Sequence, residues 1–217
     1  MASKREVEKQ RKKATIIDAA EQLFFSKGYE QATMDDLRAA AHLSKRTLYV
    51  YFTSKEQIYF EIMIRGYQKL IALLDEAPQT ASVIERLRHM ADTFYQFSKM
   101  YPQYFSAIFS YENRTTDFTQ SVPDPSKEEC YALGEVVLGK FTALLQEGKN
   151  EGVLQIDQDV TLTAMILWSS MSGVLRTAKL KKNYLENDHA ISPESLINQA
   201  FVLMMRSIRN NSGGSLK

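Results

Sequence analysis

Apolar residues recur three and four apart along most of this chain of 217 residues, the spacing that places them on one face of a helix. From Lys12 to Lys27, Ile16, Ala19, Ala20, Leu23 and Phe24 share such a face, and Gly28 follows where a helix closes in a left-handed turn. Thr33, with Asp36 three residues on, predicts the N-cap of a helix over 34–41. Ser44 predicts the cap of a helix over 45–51, and Ser54 with Gln57 that of a helix running to about Glu76. Ser82 with Glu85 opens a helix to about Lys99, Tyr101-Pro102 interrupts it, and an aromatic helix follows to about Asn113. The polar stretch 114–125 (RTTDFTQSVPDP) is read as a loop. Ser126 with Glu129 opens a helix to about Asn150, Asp157 or Asp159 caps 160–180, and Ser192-Pro193 opens 193–209. Residues 210–217 (NNSGGSLK) are read as a frayed tail. The pattern predicts nine helices and no strand: an all-α fold.

Residues 33–52 (TMDDLRAAAHLSKRTLYVYF) hold most of the functional information. They read as a short helix, a tight turn near His42-Leu43, and a second short helix. Met34, Leu37 and Ala41 share a face of the first helix, and Leu48 and Phe52 are spaced to close onto it. Ala39, Ala40 and Ala41 keep that first helix thin. The outward face of the second helix then carries Lys45, Arg46, Thr47 and Tyr49. A cationic, hydrogen-bonding face on a helix this short fits a DNA major groove about 12 Å wide. Thr33, Ser44 and Ser54, at predicted helix starts, also suit phosphate.

Composition narrows the classes. The net charge is +1, but residues 1–55 hold eleven Lys/Arg against seven Asp/Glu, leaving a basic front end on a mildly acidic body. The basic stretch Lys4, Arg5, Lys9, Arg11, Lys12 and Lys13 is either a solvated tail or a further phosphate contact. One cysteine, Cys130, leaves no disulfide framework and no cysteine zinc site. The start lacks the apolar stretch of a secretory signal, and no apolar run approaches the ~20 residues of a membrane span, so a cytoplasmic protein is expected. His42, His89 and His189 lie far apart in no metal-binding pattern, and no nucleophile, P-loop or dinucleotide motif occurs. No metal, cofactor or enzymatic activity is expected.

The chain resembles the TetR family of transcriptional regulators. The matching residues are Ile17, Ala20, Leu23, Phe24, Lys27, Gly28 and Tyr29, then Thr33, Met34 and Leu37, then Ala41, Leu43, Ser44, Lys45, Thr47, Leu48, Tyr49, Tyr51 and Phe52, and finally Ser54, Lys55 and Glu56. They are dense over about residues 11–62, with a weaker echo from Gln146 to Leu154. The resemblance implies phosphate contacts at Thr33, Tyr51 and Lys55, and base-facing or groove-wall positions at Lys45, Arg46, Thr47 and Tyr49. Two residues depart from the family pattern: His42 stands at a turn position commonly Gly, and Arg46 at one commonly small. Arg46 either reads a guanine edge or sits on a phosphate.

It further implies two domains, a three-helix helix-turn-helix DNA-binding domain over 1–55 (motif 33–52) and a helical ligand-binding and dimerisation domain over 56–217. Phe94, Phe97, Tyr104, Phe105, Phe109, Phe141, Trp168 and Met171 are packed core by default, and the resemblance implies that some of them line a pocket. The helices over 160–180 and 193–209 are apolar beyond one stripe and must bury a second face, within one chain or between two. The resemblance favours a homodimer through Gly173, Phe201, Met204 and Met205. The expected function is a ligand-responsive repressor binding a palindromic double-stranded DNA operator as a dimer, with a small hydrophobic effector and no membrane partner. The competing classes are a helical small-molecule-binding protein and a DNA-architectural protein without effector control.

Overall fold

A computed structural model describes residues 3–77, 81–112 and 124–210. Among these lie ten helices: α1 Lys4–Lys27, α2 Met34–Ala40, α3 Lys45–Tyr51, α4 Lys55–Leu74, α5 Val83–Met100, α6 Pro102–Glu112, α7 Pro125–Asn150, α8 Val160–Leu180, α9 Lys182–His189 and α10 Pro193–Ile208. Extended pairing among the described residues is limited to one antiparallel bridge, Leu154 with Arg209. Arg114 and the greater part of the expected 114–125 loop lie outside the described residues, as do 211–217 of the expected tail.

Three details differ from the sequence reading. First, α1 begins at Lys4, far ahead of Lys12, capped by Ser3 Oγ accepting the Glu6 N–H at 3.2 Å. Second, α9 has no counterpart in the apolar pattern. It buries only Leu185, so it carries no apolar stripe to detect. Third, Ser126 does not cap α7. Asp124 does, taking the Ser126 N–H at 2.9 Å, and the Ser126 hydroxyl donates instead to Glu61. Other caps stand as expected: Asp159 accepts from Leu162 N–H at 2.9 Å, and Ser192 from Ser195 N–H at 3.0 Å.

The chain divides into two compact units, Met1–Lys69 with Tyr101–Gly134, and Leu70–Met100 with Glu135–Lys217. In the first, Ile16, Ile17, Ala20 and Phe24 of α1, Leu37 of α2, Leu48 and Phe52 at α3, and Ile58 and Ile62 of α4 are buried. Each large side chain so buried contributes about 1.5–3 kcal/mol. Polar ties hold the helices in register. Arg65 of α4 reaches Asp18 at 2.7 Å and Glu21 at 3.1 Å on α1, and the Tyr104 hydroxyl of α6 donates to Glu21 at 2.7 Å. Burial and then the Glu21 carboxylate push the Tyr104 phenol above its usual pKa, so it stays a donor.

The second unit is built on Val83, Leu87, Leu145, Leu154, Ile156, Ala164 and Ile208. After α7 the chain turns at Gly152, whose φ of +71° is left-handed. Leu154 folds back so tightly that a Cβ on Gly148 would lie 2.6 Å from it.

Candidate nucleic-acid interface

The seven residues of α3 separate cleanly into two faces. Leu48 and the C-cap Phe52 are fully buried. Lys45, Arg46, Tyr49 and Val50 point to solvent, Val50 with 70% of its surface exposed and Tyr49 with 43%. No ion pair among the described residues engages Lys45 or Arg46. The helix therefore offers two unneutralised cations, a phenol and a branched apolar side chain. Val50 is absent from the sequence-based set. Its signal was its place one turn beyond Arg46, on the same face.

Other candidates prove to be occupied in holding the motif. Ser44 caps α3 by accepting the Thr47 N–H at 3.1 Å, and the Ser44 and Thr47 hydroxyls share a hydrogen bond at 2.8 Å. Thr33 forms a full capping box: its Oγ1 accepts the Asp36 N–H at 3.1 Å while Asp36 Oδ2 accepts the Thr33 N–H at 2.9 Å. The Thr33 hydroxyl also donates to Asp36 at 2.8 Å, so both of its donors are spent. Lys27 closes the same corner with an ion pair to Asp36 at 2.6 Å. Lys27, then Thr33, hold the Asp36 carboxyl down at about 2.

Lys55 is also committed internally. Its ammonium donates to the carbonyls of Tyr29 at 3.1 Å, Ala32 at 3.2 Å and Glu30 at 3.4 Å, and it sits 4.5 Å from the centre of the Tyr29 ring. An ammonium has three donors, so here it fastens the chain after α1 onto the start of α4. Tyr51 is half-buried. The turn passes through His42 with φ +53°, a left-handed conformation that costs a non-glycine residue about 1–2 kcal/mol. The chain makes this turn with His in place of the usual Gly.

A compact three-helix unit with an exposed cationic helix after a tight turn is the arrangement of a helix-turn-helix DNA reader. Comparison with known proteins agrees. Residues 16–62 match the family model described as bacterial regulatory proteins, tetR family. The HTH-type transcriptional regulator YfiR of Bacillus subtilis is 26% identical over 181 residues, 78% of this chain and 81% of that protein. Over residues 16–62 the chain is similar to the TetR family of transcriptional regulators. The fatty acid metabolism regulator protein of B. subtilis is 22% identical over 207 residues, 94% of this chain and 98% of that one. A tetR-family structure from Shewanella sp. PV-4 shares the fold with a TM-score of 0.65 at 17% identity, over 92% of this chain and 99% of that one.

The second unit holds an apolar cavity of about 60 Å³ between α5, α7, α8 and α10. Phe94, Phe141, Trp168 and Met171 line it, with Phe94 and Trp168 edge-to-face at 4.6 Å. The other sequence candidates lie elsewhere. Phe97 is wholly buried in the packing of α5, and Tyr104, Phe105 and Phe109 belong to the first unit. Phe201, Met204 and Met205, named from sequence as dimer contacts, turn inward to line the same cavity. The Ser172 hydroxyl oxygen, also at its wall, is buried without a hydrogen-bond partner. The outward face of α8 carries Leu162, Met165, Ile166 and Gly173, and Leu203 is exposed on α10. No helix of the described residues is long and apolar enough to cross a membrane.

Proposed function

We propose that this regulator is a homodimeric repressor that occludes a promoter by seating two copies of α3 in successive major grooves of a palindromic operator. The observation that carries the proposal is the exposed face of α3: Lys45, Arg46, Tyr49 and Val50 stand free of the core on a helix fixed from behind by Leu48 and Phe52. Arg46 donates in bidentate fashion to a guanine edge, and Val50 packs on a thymine methyl. Lys45, Tyr49 and Tyr51 hold the groove wall and its phosphates. Thr33, Ser44 and Lys55 act chiefly by locking the motif, since their polar atoms are already bonded within the chain.

The cavity of the second unit is the effector site. At about 60 Å³ it is far below the ~300–1,000 Å³ of a pocket holding a drug-sized ligand. Met90, Met171, Met204 and Met205 line it, and unbranched thioethers repack readily. Ligand entry therefore enlarges the cavity and favours a different packing of the unit. The effector has an apolar body and one hydrogen-bonding group for Ser172 Oγ. For the effector to release DNA it must bind the DNA-incompetent state more tightly, and operator DNA must then weaken effector binding by the same factor.

The experiment is selection of genomic fragments by purified protein at ~150 mM salt, where non-specific binding is suppressed. A palindrome with half-sites about one helical turn apart is expected. Measurable binding without sequence enrichment, from protein shown by mass spectrometry to carry no bound molecule, contradicts the repressor reading.

A further inference from the structure

We infer that the N-terminal arm of α1 is a second phosphate-binding surface that extends the DNA contact beyond the helix-turn-helix; this rests on the DNA-binding reading above. The helix α1 starts at Lys4, yet its first core residue is Ile16, and residues 3–12 are all exposed. Nothing in the fold requires this extension. A helical segment this short without packing is marginal in water. Here it is reinforced locally: Ser3 caps it, and Gln10 Nε2 donates to Glu6 Oε1 at 3.0 Å.

The arm is strongly cationic: Lys4, Arg5, Lys9, Arg11, Lys12 and Lys13 stand against Glu6 and Glu8. Arg5, Lys9 and Lys12 fall within about 60° of one another around the helix and form a ridge about 10 Å long. Glu8 borders that ridge, while Glu6 lies off it and is held by Gln10. A DNA strand presents a phosphate every ~3.4 Å of axis, but the strand also winds around that axis, so the straight ridge spans about two.

The base of the arm is fixed next to the reading helix. Lys13 pairs with Glu61 of α4 at 2.6 Å, and its ammonium lies 5.8 Å from the ring centre of Phe52, the C-cap of α3. When α3 occupies a major groove, the arm therefore starts at the groove wall, where the phosphates are. Lys13 is already paired with a carboxylate; Arg5, Lys9 and Lys12 are in no ion pair among the described residues.

The test is the triple variant Arg5→Gln, Lys9→Gln, Lys12→Gln, since Gln keeps the helix propensity of Lys and Arg. Full-length wild type and variant are titrated by fluorescence anisotropy against the selected duplex and a random-sequence duplex of equal length, from 50 to 300 mM salt. Each lost contact flattens the slope of log K against log salt by about 0.9. A dimer losing one or two contacts per arm should flatten by about 2–4, and at ~150 mM salt the variant should bind at least tenfold more weakly. Base preference and melting temperature should stay unchanged, because the arm touches neither the base-facing side chains nor the core. An unchanged slope overturns the inference, and so does an altered base preference. Failure of the regulator reading looks different: wild type itself would then show no selected duplex and equal affinity for both probes.

Discussion

On α3, Arg46 and Val50 lie one turn apart on the exposed face. If Arg46 reads a guanine, Arg46→Ala should cost about 1–3 kcal/mol at one base position of each half-site and almost nothing at the others. Competition binding against single-base operator variants measures this. Uniform weakening with a flatter salt slope would instead make Arg46 a phosphate contact. Behind that face, Asp36 couples the motif to acid. Its carboxyl is held at about 2 by Lys27 and Thr33, against an ordinary value of about 3.9. The fold depresses the value, so its contribution is complete above about pH 4 and is lost as pH falls through about 2. Asp36→Asn should therefore melt lower than wild type at pH 5, with the gap closing toward pH 2. Thermal melts across that range decide it, and a gap that stays constant removes the ion pair as the cause. The Thr33–Asp36 box was legible in the sequence because capping is a code of fixed three-residue spacing. The clamp by Lys55 was not, because its three carbonyl partners lie more than twenty residues away.

At the scale of elements, the end of α7 depends on one glycine. A Cβ on Gly148 would meet Leu154 at 2.6 Å and Val83 at 3.0 Å, whereas one on Gly139 in the same helix meets nothing within 4 Å. Overpacking costs about 1–3 kcal/mol, and alanine returns up to ~1 kcal/mol of helix propensity. Gly148→Ala should therefore destabilise by up to about 2 kcal/mol, while Gly139→Ala stabilises by about 0.5–1 kcal/mol. Urea denaturation compares the pair; equal shifts would mean that Leu154 moves aside freely. The sequence showed the turn here through Gly152, but not the close approach, which depends on where Leu154 returns. The aromatic residues show the same limit. Phe94, Phe97, Tyr104, Phe105 and Phe109 look alike in the sequence as core or pocket candidates, yet the chain turns between α5 and α6. Phe94 faces the cavity, Phe97 is wholly buried away from it, and the other three belong to the first unit. Periodicity reports which side of a helix is buried, not what it is buried against.

At the scale of the whole molecule, repression through a palindrome requires two copies, and the second unit offers a surface for the second. Around α8, Leu162, Ile166, Ser169 and Gly173 fall on one exposed stripe. Leu162 and Ile166 are each 51% exposed, and Leu203 on α10 is 63% exposed. Exposed apolar side chains along a helix whose opposite side is already buried call for a partner surface. Small residues at its centre let a second helix approach closely. Gly173 makes an unusually clean probe, because a Cβ there meets nothing within 4 Å of the single chain. Gly173→Glu leaves the protomer core untouched and improves helix propensity, so any loss of assembly reports the interface rather than the fold. Sedimentation velocity should show wild type as a dimer and the variant shifted to monomer with undiminished helicity. Two isolated protomers bind half-sites independently, so operator affinity should fall at least about a hundredfold as the linked second contact is lost. A variant that remains dimeric moves the interface off this stripe of α8.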